Sequence, residues 1–246
     1  MPHRFSRFEL LIGYEQLQRL QQARVAVFGL GGVGSFAAEA LARSGIGSLL
    51  LVDHDQVSLT NINRQLPALS ETIGRPKVDV MAERILQINP ACTVEPLQVF
   101  FGAGNWCEIL TSDLDYAVDA IDTVASKLLL VEKCLELRVP IISSMGAGNK
   151  LDPTQLKVAD ISHTSVDPLA KIMRKELRKR GIHQGVKVVY SPEPPITPLA
   201  ELVNRLRTAG DVPDEKRQIP GSSAFVPPAA GLAMASVVVR DLLQRQ

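Results

Sequence analysis

The run Arg24-Val-Ala-Val-Phe28-Gly29-Leu-Gly31-Gly32-Val-Gly34-Ser35 decides the fold. Five apolar-rich residues read as a buried strand, the glycines as a tight turn, and the Phe36–Arg43 stretch after them as a helix stopped by Gly45 and Gly47. The turn satisfies Gly-x-Gly-x-x-Gly where the mechanism requires it, after a strand and opening a helix. Absent side chains let backbone amides approach phosphate oxygens, and the helix N-terminus favours their negative charge. A second apolar run, Leu49–Val52, ends at Asp53, nineteen residues past Gly34, where a carboxylate is placed to meet a ribose hydroxyl.

Working outward, the strand–helix alternation continues. Pro76 suits the start of a helix with Met81, Ile85 and Ile88 on one face, ended by Asn89-Pro90. Strands are expected at Val94–Val99, Tyr116–Ile121 and Pro140–Ser143, a short helix at Asn105–Thr111 and a longer one at Val124–Arg138. This pattern predicts an α/β fold, a Rossmann-like mostly parallel sheet with helices on both faces and chemistry at the carboxyl ends of its strands. Beyond Gly146 the character changes to a mixed, antiparallel extension. LKVADIS and VKVVYS alternate like half-buried strands around a basic helix from Asp167 to Arg180. The reading divides the chain into a Rossmann-like nucleotide-binding domain at 1–160 and a C-terminal extension at 161–246. Within the extension, six prolines between Ser191 and Pro220 predict a mobile excursion, with only LAELVNRLR helical, and AAGLAMASVVVRDLL reads as a closing helix.

Composition bounds the rest. The 246 residues carry 27 Lys and Arg against 26 Asp and Glu, 46% hydrophobic and 22% charged residues, which is globular rather than disordered. A net charge of +1 leaves no global excess for a polyanion, although it can hide local patches. No run approaches a membrane span and the N-terminus does not read as a leader, so a soluble, cytoplasmic protein without a membrane partner is expected. Three scattered cysteines, Cys92, Cys107 and Cys134, form neither a disulfide framework nor a zinc site.

The glycine turn alone does not separate ATP from a dinucleotide. The residues beyond it do: Asp53-His-Asp55-Gln-Val-Ser-Leu-Thr60-Asn61-Ile-Asn63-Arg64-Gln65, then Arg75-Pro76-Lys77, then Asp119-Ala-Ile-Asp122. An amide, several cations and a carboxylate thus surround one crevice. Attack on an α-phosphate needs cations to neutralise developing charge and a carboxylate to hold Mg²⁺, whereas hydride transfer needs neither. Bland alternatives stand beside this: Arg64 and Lys77 as solvated cations, Asp122 as a cap for the helix after Thr123, and Arg7 as part of an exposed terminus.

Together RVAVFGLGGVGS, LVDHDQVSLTNINRQ, GRPK and DAID resemble the adenylating domain of the ubiquitin-activating-enzyme-like superfamily, which includes the activators of molybdopterin and thiamine sulfur carriers. The opening Arg4-Phe5-Ser6-Arg7 is similar to its N-terminal RYxRQ box, with Phe8 in place of the glutamine. The resemblance implies ATP and Mg²⁺ as cofactors. It implies that Gly29, Gly31, Gly32 and Gly34 shape the phosphate turn, that Asp53 holds the ribose with Asp55 among the nucleotide-contacting residues, and that Asn61, Arg64 and Lys77 contact the phosphates. Asp122 would hold Mg²⁺ or orient the substrate, and Arg7 would reach into the ATP site of a partner subunit, which implies a homodimer.

Two classes of carboxylate remain to be separated. Superfamily members that load carrier proteins commonly relay the acyl group through a cysteine beyond the nucleotide half, but all three cysteines here precede residue 135. The second half, SSMGAGNKLDPTQLKVADIS, DPLAKIMRKELRKRGI, VKVVYS and GSSAFVPPAAGLAMAS, resembles the tRNA threonylcarbamoyladenosine dehydratases. That likeness implies an ATP-dependent tRNA-modifying enzyme. The alternative is an adenylyltransferase for the Gly-Gly terminus of a ubiquitin-like sulfur carrier, and a third reading is a non-catalytic nucleotide-binding module with a vestigial site. Some dehydratases carry a sulfur-accepting cysteine near the C-terminal segment; none stands here, which argues against a cysteine-desulfurase partner. Residues 171–180 hold six cations and one acid. Lys171, Arg174, Lys175 and Arg178 share helical spacing, with Lys179 beside them, so they form a candidate tRNA-binding face or, alternatively, a solvated one.

Overall fold

A computed structural model describes residues 2–208 and 220–244. Its sheet has seven strands in the order β3-β2-β1-β4-β5-β7-β6. These are β1 (Arg24–Phe28), β2 (Ser48–Val52), β3 (Thr93–Leu97), β4 (Tyr116–Asp119), β5 (Ile141–Ser144), β6 (Lys157–Asp160) and β7 (Lys187–Tyr190). Every pairing is parallel except β6 with β7. The sheet therefore matches the mostly parallel α/β expectation, with its antiparallel pair on the C-terminal side.

The period-two geometry of β1 sorts its side chains into two layers. Val25 and Val27 enter one core, with helices α2 (Tyr14–Gln22), α3 (Gly34–Arg43), α4 (Lys77–Ile88) and α9 (Val226–Gln244). Ala26 and Phe28 enter the other, with α5 (Trp106–Ile109), α6 (Val124–Leu137) and α7 (Pro168–Lys179). Burial on both faces is why β1, β2 and β4 read as nearly continuous apolar runs. β3 is paired only to β2 and tolerates Pro96, as an edge strand can.

Most expected elements appear with ends shifted by one or two residues. Pro76 stands at the N-cap of α4 rather than inside it. Pro227 and Pro228 fall in the first turn of α9 instead of ahead of it, where a missing N–H costs nothing. Two N-terminal helices, α1 (Ser6–Ile12) and α2, had no expectation attached. The described residues beyond 160 are woven into the main body: β7 sits between β5 and β6, and α9 packs on α3, β5 and β7. Of the excursion expected at 191–220, the structure describes 191–208, including α8 (Ala200–Thr208), and Pro220; residues 209–219 lie outside the described residues. By length and composition α9 could cross a bilayer, contrary to expectation, but it is mostly buried and belongs to the core.

Candidate active site

Strand order reverses between β1 and β4, and the loops leaving their carboxyl ends separate to form a crevice. It holds a cavity of about 530 Å³, within the range of small-ligand sites. Its first half is built from the glycine turn. Gly29 has φ 86°, and a Cβ there would lie 2.6 Å from the Ala120 carbonyl oxygen; a Cβ on Gly34 would lie 1.7 Å from that of Gly29. These two glycines let α3 close onto the strands. Gly31, by contrast, has only the Gln65 amide nitrogen at 3.8 Å from such a Cβ, leaving its backbone open to the cavity.

Asp53 is buried, and both carboxylate oxygens are engaged. The Leu30 N–H donates to one at 2.5 Å and the Asp55 N–H to the other at 2.8 Å. It thus pins the glycine turn to the end of β2 while facing the cavity. His54 and Phe100 stack edge-to-face beside it at 5.1 Å and form an aromatic rim. Asp53, His54 and Asp55 lie close enough for a metal, but Asp53 serves the two amides and Asp55 accepts from the Lys77 ammonium at 2.7 Å.

The cations differ in how they are held. Lys77, only 4% exposed, is the first residue of α4 and is paired with Asp55. Arg64 donates to the Thr60 carbonyl and the Asn63 side-chain oxygen, both at 2.9 Å, and among the described residues it forms no ion pair with a carboxylate. Burial pulls its guanidinium below the ordinary value. A half-buried cation lacking a counter-ion favours an incoming anion.

Asp122 is exposed at the cavity wall, accepting from the Thr123 hydroxyl at 3.3 Å. Beneath it, Asp119 and Lys127 form a fully buried ion pair at 2.9 Å. Lys127 also donates to the Ile121 carbonyl at 3.1 Å, the Ile121 N–H to Asp119 at 3.2 Å, and the Ser143 hydroxyl to Asp119 at 2.5 Å. The Asp119–Asp122 turn is therefore braced from below.

The cavity brings together Gly29, Gly31, Gly32, Asp53, Asp55, Arg64, Lys77 and Asp122. Asn61 is not in the lining; its side-chain oxygen accepts from the Ser58 N–H at 3.2 Å and closes the turn before Arg64. Gly34 serves packing rather than the lining. Arg7 is exposed on α1 and absent from the cavity of its own chain. Neighbouring Phe5 packs at Gly45, ahead of β2 and so at the opposite edge of the sheet. On α7, Arg174 turns inward to the Thr164 carbonyl at 2.9 Å, while Lys179 and Arg180 lie near Glu176. Lys171, Lys175 and Arg178 remain as an exposed stripe along one face.

Sequence reasoning missed the second half of the cavity. It is lined by Met145–Lys150 after β5, by Pro168 and Leu169 at the start of α7, and by Pro195, Pro220–Ser222 and Pro227. A legible signal was the glycine-rich turn of SSMGAGNK at a strand's carboxyl end. Buried thiols take no part: burial pushes Cys92 up to about 11 and, with Asp119 nearby, raises Cys134 further.

The ThiF family matches residues 5–246. The chain is 51% identical over 245 residues to the tRNA threonylcarbamoyladenosine dehydratase of Bacillus subtilis, covering 99% of this chain and 96% of that one. The crystal structure of the Escherichia coli tRNA N6-threonylcarbamoyladenosine dehydratase in complex with ATP is similar with TM-score 0.85 and 36% identity, over 98% of this chain and 93% of that chain. The likeness to the E. coli sulfur carrier protein ThiS adenylyltransferase, 36% over 152 residues, spans only 60% of each.

Proposed function

The chain belongs to the ThiF family, and from that premise we propose that it catalyses the ATP-dependent cyclising dehydration of threonylcarbamoyladenosine next to the anticodon of tRNA. The observation that carries this reading is Arg64, a half-buried guanidinium without a carboxylate partner among the described residues. It faces a two-part cavity whose second part opens at the start of basic helix α7. One part suits a nucleoside triphosphate and the other an acid substrate on a polyanion. The full-length likeness to a dehydratase favours this acid over the terminus of a carrier protein.

In the reaction, the threonyl carboxylate attacks the α-phosphate of ATP and the bond to pyrophosphate breaks. Arg64 stabilises the charge that develops in this step. Lys77 exchanges its Asp55 contact for phosphate oxygens, and Asp53 holds the ribose while keeping the glycine turn closed. Asp122, exposed at the cavity wall, would hold a cation carried by the triphosphate. Mg²⁺ held there would supply charge neutralisation for the departing pyrophosphate. A neighbouring atom of the same modification then attacks the acyl carbon, and AMP leaves with the carboxylate oxygen, so that water is lost overall. The closure is intramolecular and needs no enzyme thiol, in keeping with the two raised, buried cysteines.

The tRNA docks on Lys171, Lys175 and Arg178, with Arg174 and Lys179 supporting that face. The enzyme acts in the cytoplasm as a homodimer in which Arg7 enters the cavity of the second copy. Helix α1 supports this, since none of its residues is buried and Leu10 and Leu11 are 79% and 81% exposed. Pyrophosphate exchange tests the whole reading, using tRNA bearing threonylcarbamoyladenosine against a Gly-Gly carrier peptide. Exchange is expected with the tRNA, and exchange only with the peptide overturns the reading.

A further inference from the structure

Lys150 is 2% exposed and Asp167 1%, and their side chains meet at 2.8 Å behind the second half of the cavity, which Lys150 lines. The ammonium has three protons and three acceptors: Asp167 at 2.8 Å, the Gly146 carbonyl at 2.8 Å and the Ser191 carbonyl at 3.0 Å. With every donor committed, Lys150 is neither a general acid nor a phosphate ligand. Its neighbours explain its placement. Gly146 opens the 146–149 wall, and Ser191 follows β7 and starts the segment that brings Pro195 to the cavity. Asp167 is the N-cap of α7, accepting from the Ala170 N–H at 2.9 Å. The Lys150 carbonyl accepts from the Ser223 hydroxyl at 3.3 Å, and that hydroxyl oxygen accepts from the Phe225 and Val226 N–H groups at the start of α9. Three segments are thus tied around one ammonium, and the Lys150 carbonyl adds a fourth at the start of α9.

A buried ion pair is weak evidence for stability, because apolar residues of the same volume often do as well. What such a pair can supply is a single register. We infer that Lys150 and Asp167 are positioning residues for the acid substrate: they hold the 146–149 wall and the N-terminus of α7 in one fixed relation. Docking of a polyanion on the Lys171, Lys175 and Arg178 stripe then delivers its carboxylate to the Arg64 side of the cavity. Gly146 belongs to the same device, since a Cβ there would lie 3.2 Å from both Asp167 carboxylate oxygens. The inference rests on the tRNA reading of the site.

The test uses the full chain with Lys150→Met, Lys150→Arg, Asp167→Asn and Gly146→Ala. Each variant is measured for thermal unfolding, for ATP affinity without tRNA, and for kcat and KM with threonylcarbamoyladenosine-bearing tRNA at saturating ATP. The expected result is ATP affinity close to wild type and kcat/KM for tRNA lowered by about a hundredfold in Lys150→Met and Asp167→Asn, the scale of an ångström of misplacement. Lys150→Arg should recover part of it. Gly146→Ala keeps both charges and displaces only the carboxylate, so it decides the matter if the charge variants do not fold; a smaller, still tRNA-selective loss is expected. Parallel loss of ATP affinity and tRNA turnover in Gly146→Ala, or unchanged tRNA turnover in folded Lys150→Met or Asp167→Asn, overturns the inference. A wild-type protein that turns over no such tRNA overturns the functional reading instead.

Discussion

Each half of the cavity rests on a buried lysine–aspartate pair, and the two pairs are built differently. Lys127 and Asp119 lie eight residues apart within one strand–turn–helix unit and brace the turn that ends at Asp122. Lys150 and Asp167 join a loop, the cap of α7 and the end of β7. The nucleotide half is therefore braced by local geometry and the second half by tertiary contact. One half is a module with a motif, and the other exists only once the C-terminal segment has joined the sheet.

Removing Lys127 should break the local brace with the largest energetic effect. Lys127→Met leaves Asp119 buried and unpaired, and a loss of about 3–5 kcal/mol in unfolding free energy is expected; denaturant midpoints near wild type would remove the bracing role. Arg64→Ala should leave both braces intact and lower turnover by about a hundredfold, the scale for one preorganised charge. Wild-type turnover in that variant would falsify its assignment. Asp53→Ala should mainly raise KM for ATP, by about tenfold, since the hydrogen bonds from the Leu30 and Asp55 N–H groups are lost as well. An unchanged KM for ATP would count against both roles of Asp53.

Smaller effects sharpen the contrast from the other side. Lys175→Glu with Arg178→Glu should weaken tRNA binding and flatten its salt dependence by about two units of slope, leaving ATP affinity alone; equal salt slopes would make α7 mere surface. Alkylation at pH 8 should label Cys107 in the native protein and spare Cys92 and Cys134. Thiols raised by burial stay protonated until pH approaches their folded values, about 11 for Cys92. Full activity after labelling is expected, and its loss would show that a thiol serves one of the halves.

The two halves also differ in how far they could be read from sequence. Gly31, Asp53, Arg64, Lys77 and Asp122 fall at fixed spacings around strand ends, and the fold brings them to one cavity as their pattern implied. Asn61 shared that pattern, but its side chain closes the turn that presents Arg64. Arg174 had the spacing of the basic stripe but bonds to Thr164, because helical period places a residue on a face without saying what packs there. Lys150 carried no signal at all. Nothing near it in sequence marks a partner seventeen residues on.

The amino-acid sequence by itself determined the α/β order, the glycine turn and the placing of Asp53 at a strand's carboxyl end, because these depend on period, turn chemistry and spacing within single strand–helix units. Tertiary structure alone decided that β7 enters between β5 and β6 and that Lys77 pairs with Asp55 while Arg64 meets no carboxylate among the described residues. It also decided that a buried lysine ties the start of the basic helix to the cavity. Those outcomes depend on which distant groups become neighbours and on the removal of water from between them, and no local pattern along the chain encodes either.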